Sequence, residues 1–266
     1  MKHVLSYEFM QNAFAAATIV AIVAGAVGYF LVLRSQSFAG HALSHVGFTG
    51  ATGASLVGLP PLWGLVAATV AAGIGMGFLG NDLAQRDVAI GLVLSLALGF
   101  GLLFLHFFTA FATQATALLF GNVLGVDIQT LWTLLALGVV CLTTLATISR
   151  PLLFVSLQPE LAEAKGASLQ LYSVLFLALV ALATAECAQI VGVLLVFTLM
   201  VGPAAAVHRM NLRVASGIML ASVLAVCEAW VGITLAFYTD WPSSFWIAAV
   251  SAAVYLVTSV AVSRSW

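Results

Sequence analysis

The stretch "MQNAFAAATIVAIVAGAVGYFLVLR", residues 10–34, decides the fold. It carries no charge until Arg34 closes it. A bilayer core of about 30 Å needs roughly 20 apolar residues in a helix, so residues 10–33 are read as a complete transmembrane span. The run is too long for the apolar core of a signal peptide, and no cleavage site follows it. Similar runs fill the rest of the chain. Of its 266 residues, 63% are hydrophobic and 6% charged, against roughly 25% charged in a soluble domain. The expectation is an all-α, polytopic transmembrane helical bundle forming a single transmembrane domain over residues 1–266. Membrane lipid is its solvent. The net charge of −1 argues against nucleic acid as a partner. Cys141, Cys187 and Cys227 form no CxxC pair and read as small core residues.

Further spans are expected near 37–58, 62–80, 88–110, 128–148, 170–185, 188–207, 212–238 and 244–263, which makes about 8–9 in all. Segment 111–127 is more polar and is expected to be a short helix or a re-entrant piece. Under nine spans, Arg34, Arg86, Arg150, Lys165, Arg209, Arg213 and Arg264 all fall on one side, which the positive-inside rule makes cytoplasmic. Asp127, Glu186 and Asp240 fall at outer ends. In "VGVLLVFTLMVGPAAAV" (191–207), Gly202-Pro203 should break or kink the helix, since proline removes a backbone donor and crowds the preceding turn. Gly73 and Gly77, at GxxxG spacing, allow close backbone approach, within one subunit or between two.

The next stretch, "RSQSFAGHALSHVGFTGATGASLVG" (34–58), places two imidazoles in a span. Ionisable groups inside a bilayer are costly and mark functional sites by default. Residues four apart share a helix face, so His41 and His45 can reach one divalent cation as neutral imidazoles. His45 lies about 16 Å in from Arg34, and Glu228 about 22 Å in from Arg213. Together they offer a two-His, one-carboxylate set suited to zinc, manganese or iron. His106 lies about 30 Å from Arg86, near the outer surface. The same groups could form a proton relay, or simply pack with satisfied hydrogen bonds. On the basic side, "QPELAEAKG" (158–166) reads as a short helix with Pro159 in its first turn and Gly166 past its end. Glu160 and Glu163 lie near its positive end and Lys165 near its negative end. It is either an ordinary loop or a docking helix.

In order, "GHALSHVGFTGATGASLVG", "ALLFGNVLGV" (117–126), "QPELAEAKG", "VGVLLVFTLMVGPAAAV" and "GITLAFYTDWPSS" (232–244) resemble the motifs of the permeases of metal-ion ABC importers, the group serving zinc, manganese and iron. The resemblance covers nearly the whole chain. It implies a homodimeric channel in the bacterial inner (plasma) membrane. The partners would be an ABC ATPase subunit docked on Gln158, Pro159, Glu160, Glu163, Lys165 and Gly166, and an extracytoplasmic metal-binding protein. ATP hydrolysis belongs to the ATPase, consistent with a chain that has no GxxxxGK[ST] loop and only two lysines. The chain itself would then be no enzyme and would hold no permanent cofactor, the divalent metal being its cargo. The family's second-span acidic residue and histidine align with His41 and His45. His41 stands where aspartate is expected, Gln158 likewise, Ser244 replaces a glycine and Ala236 a serine. Imidazole in place of a hard oxygen favours zinc over manganese, with Glu228 available as a compensating carboxylate. The alternatives are a proton-coupled secondary transporter, in which inverted repeats are common though none is visible here, and a permease of the same architecture for a metal chelate.

Overall fold

The computed structural model describes residues 7–78, 83–107, 119–121, 123–193 and 195–263. Long helices follow one another: α1 (Glu8–Leu33), α2 (Ser37–Leu56), α3 (Pro61–Phe78), α4 (Leu83–Phe107) and α5 (Ile128–Leu157). A six-residue helix, α6 (Pro159–Ala164), precedes α7 (Leu169–Val191), α8 (Val196–His208), α9 (Val214–Thr239) and α10 (Ser243–Ser263). Seven of these are long and apolar enough to cross a bilayer. Of the other two large helices, α2 has the length, at 20 residues, but is diluted by glycine, serine, threonine and histidine. The last, α8, has 13 residues and rises only about 20 Å. Most of segment 111–127 lies outside the described residues; Val123–Gly125 form a single 3₁₀ turn.

The core is built around α1 and α7, whose most apolar windows are each 72% buried. α4 and α10 bury 17% of theirs and turn most of their surface outward, as lipid-facing helices do. Small residues set the spacing. A Cβ on Gly73 would lie 2.6 Å from the Leu177 carbonyl oxygen, and one on Gly77 would lie 2.5 Å from the Val174 Cα. The GxxxG face of α3 is thus consumed by α7 of the same subunit. On its other side α3 meets α2, with Gly64 against Gly50. α3 therefore clamps the histidine-bearing helix to α7.

The end of α1, the end of α3, the end of α5 and the start of α7 line one cavity, so these helix ends lie together. Arg34 belongs to this basic end, and so does Lys165, the C-cap of α6. His208, at the end of α8, joins it by stacking on Tyr29 at 4.3 Å and bonding the Tyr29 carbonyl through Nε2 at 2.9 Å. At the opposite end Asp127 caps α5, accepting from the Thr130 backbone N–H at 3.0 Å. Hydrogen bonds from Thr130 hold its carboxyl below the usual carboxylate range.

Three expectations need correction. The span expected near 128–148 runs further: α5 continues through Pro151 to Leu157. α8 runs unbroken through Gly202-Pro203, and the interruption comes earlier, where Gly192 takes φ +84° after Val191. Only glycine adopts that conformation without strain, and here the backbones of Gly121 and Gly192 pass in direct contact. A helix break at this depth is tolerated because it is packed in protein; Val191 and Val193 are buried. Glu186 is the third: it does not end a helix but sits inside α7, fully buried.

Candidate functional site

α2 is amphipathic in an unusual sense. One side carries Ala39, Gly40, Ala42, Leu43, Ser44, Val46 and Gly47, all buried against neighbouring helices. The other carries Phe38, His41, His45 and Thr49 at i, i+3 and i+4 intervals, a single face by helical geometry. Phe38 is 41% exposed, and both histidines are half-buried. The lower part of the stripe is therefore open within one subunit. Its upper part is closed by α4, where the Thr49 hydroxyl donates to the Ala97 carbonyl at 2.6 Å and Phe104 packs on Gly53.

The two imidazole centroids are 4.8 Å apart at an interplanar angle of 84°. Two imidazoles on one tetrahedral ion, at bonds of about 2.0–2.1 Å, place their centroids about 5 Å apart. The pair thus has the separation that shared coordination requires. Phe197 of α8 stands edge-on to His41 at 5.7 Å and walls one side. The Ser44 hydroxyl bonds the His41 carbonyl, which fixes the local backbone.

Glu228 does not join this pair. It lies on α9, 1% exposed, beside Ser251 of α10, and neither of its carboxyl oxygens has a well-aligned hydrogen bond. Ser251 in turn faces Gly202 and bonds the Thr198 carbonyl of α8 at 3.4 Å. α8 thus presents Phe197 to His41 and the next residue, Thr198, to the Glu228 side. Among the described residues no three His, Cys, Asp or Glu side chains gather where they could hold a metal. Counting residues gives the position of Glu228 along its helix; the sequence carries no signal of which helix it faces. His106 also stands apart. It is exposed at the end of α4, against Phe107, about 15 Å along the bundle from His45.

Gln158, Pro159, Glu160, Glu163, Lys165 and Gly166 are all exposed. Pro159 opens α6, and Gly166 closes it at φ +83°. Backbone bonds from Gly166 to Glu163 and from Ala167 to Ala162 satisfy the last carbonyls, as a glycine-terminated helix requires. Ala162 is buried beneath it, and Lys165 lies over the Phe154 ring at 5.6 Å. The element is a held protrusion rather than a loose loop. Sequence reading missed the apolar residues beside the charges: Leu157, the last residue of α5, is 64% and Leu161 of α6 46% exposed. Behind it lies a cavity of about 660 Å³ lined by Arg34, Ser35, Gly77, Ser156, Glu163 and Ser173 among others.

The family model of the ABC 3 transport family matches residues 6–262. The chain is 30% identical over 252 residues to the manganese transport system membrane protein MntC of Halalkalibacterium halodurans, covering 94% of this chain and 86% of that one. It is 28% identical to a probable iron transport system membrane protein of Haemophilus influenzae, covering 95% and 93%. Among solved structures it superposes on PsaBC from Streptococcus pneumoniae in complex with Fab with a TM-score of 0.86, at 28% identity, covering 97% of this chain and 93% of that one. With its apolar helices and this match along nearly its whole length, the chain is a multi-pass cell-membrane protein and belongs to the ABC 3 transport family of metal permeases.

Proposed function

We propose that this chain is the channel-forming subunit of an ATP-driven importer that passes zinc inward, with His41 and His45 as the transient site. The supporting observation is the half-open imidazole pair at coordinating separation on α2. Two donors do not complete a tetrahedral site. A second copy related by a two-fold axis presents the same patch, and the two open stripes then offer four imidazoles. Such a site is neutral and lacks the carboxylates that manganese prefers. It binds without trapping, since conduction needs release as well as entry. The exposed α6 docks a separate ATPase subunit through Leu157, Leu161 and the flanking charges, and an external protein delivers the ion. Glu228 and His106 take no part in the first coordination shell.

Manganese is the second reading, favoured by the function named for the similar Halalkalibacterium protein. The test is ATP hydrolysis by the reconstituted complex with its ATPase and binding protein, titrated separately with zinc, manganese and ferrous iron. Strongest stimulation by zinc supports the first reading. Stimulation by manganese alone transfers the site to the second.

A further inference from the structure

Arg34 occupies a junction that its place at the end of a span does not explain. It follows α1 directly, and Ser35 turns the chain at φ +54° so that α2 starts three residues later. Its guanidinium then reaches three separate parts of the chain. Nε donates to the Gln36 side-chain oxygen at 3.3 Å, and Gln36 is the N-cap of the helix that carries the histidines. One terminal nitrogen donates to the Ser156 hydroxyl at 2.6 Å, three residues before Pro159. The other meets the Ser173 hydroxyl at 3.4 Å, in the first turns of α7 just beyond the docking segment. The Phe176 ring lies 5.3 Å beneath the guanidinium carbon, a cation–π contact. One side chain thereby ties the start of α2 to both chain segments that flank α6.

The surroundings make these links matter mechanically. α6 packs on α5 and α7, and one cavity is lined both by Pro159 and Glu163 of α6 and by Arg34 and Ser35 of the α1–α2 turn. Elsewhere in the bundle, apolar helix faces can slide past one another with small changes in energy, as in shear motions. A planar fork of donors holds its partners in fixed directions. Movement imposed on α6 is therefore transmitted to the α2 N-terminus through directional bonds, about 12 Å below His45 by helical rise from Ser37 to His45.

We propose that Arg34 is the positioning residue that couples the docking segment to the histidine helix. The inference rests on the docking role of α6 proposed above. In the complex reconstituted with ATPase and binding protein, zinc transported per ATP hydrolysed is the readout. Arg34→Gln should lower that ratio about fivefold or more, the lower range of a site-to-site coupling, with the ATPase still bound. The double variant Ser156→Ala/Ser173→Ala, which keeps the charge, should lower it in the same sense. Arg34→Lys, a point charge without the fork, should not restore it. A fall of transport and hydrolysis in equal proportion, or an unchanged ratio in the serine double variant, would overturn the inference. Leu161→Arg separates the two levels. If it leaves ATPase co-purification intact, the docking reading itself fails and the coupling inference with it. If it releases the ATPase while the Arg34 and serine variants keep a normal ratio, only the coupling inference fails.

Discussion

The close seam between α3 and α7 makes a quantitative prediction about Gly77. A Cβ there would sit 2.5 Å from the Val174 Cα, and one at Gly73 would sit 2.6 Å from the Leu177 carbonyl oxygen and 2.9 Å from the Ala181 Cβ. Carbon atoms prefer about 3.5–4.0 Å, so Gly77→Ala requires the two backbones to part by about 1 Å. The obstructing atoms are mainly backbone, so no rotamer change relieves the clash. Overpacking of this kind costs about 1–3 kcal/mol. Against it stands the helix-propensity gain of alanine over glycine, about 1 kcal/mol. With backbone atoms as the obstruction the packing term wins, leaving a net loss of up to about 2 kcal/mol per site. Gly75 supplies the control, because it lies between them on the same helix with nothing within 4 Å of an added Cβ. Gly75→Ala should be neutral or stabilising by up to about 1 kcal/mol. Thermal unfolding in a single detergent should place Gly73→Ala and Gly77→Ala below the parent protein by up to about 8 °C each, with Gly75→Ala at or above it. If all three behave alike, helix propensity governs this seam and the close-packing argument is wrong. Because α3 also carries Gly64 against Gly50 of α2, the same variants should weaken metal uptake.

Other consequences follow from individual side chains. His41→Asp supplies a hard oxygen and should shift the zinc-to-manganese preference of transport toward manganese by at least about tenfold, the lower bound for disturbing even a ligand's outer partner; an unchanged ratio would remove His41 from the path. Glu186 is fully enclosed, with both carboxyl oxygens lacking hydrogen bonds, so Glu186→Met should raise the unfolding temperature, through a gain of about 1–3 kcal/mol. A drop in that temperature would mean the carboxyl has a stabilising partner. Gly166→Ala forces a side chain into the left-handed region, costing about 1–2 kcal/mol, and should loosen α6 enough to reduce recovery of the ATPase with the permease; full recovery would show that the cap is dispensable.

The helices were legible because most apolar runs are close to bilayer length and many end in glycine, proline or charge. α6 was legible for a local reason as well: Pro159 and Gly166 are strong boundary residues whose effect needs no tertiary context. The break between α7 and α8 was misplaced because Glu186 resembled a helix end. A carboxylate among apolar residues suggests a surface, whereas its actual place is a gap left by Gly138 on α5. The true boundary, Gly192, is one glycine among 23, and its positive φ is imposed by the segment crossing at Gly121. The histidine pair was legible because i, i+4 spacing fixes a shared face. Its grouping with Glu228 was not, because counting residues gives depth and no azimuth. Arg34 read as a topology marker for the same reason: its partners Ser156 and Ser173 are 122 and 139 residues away.

His45 is the residue on which the proposed metal path depends, and metal-limited growth tests its role. A strain dependent on this permease for zinc should lose growth on scarce metal when it carries His45→Ala, with the amount of protein in the membrane unchanged and growth restored by abundant zinc. Normal growth of that variant on scarce metal would remove His45 from the metal path.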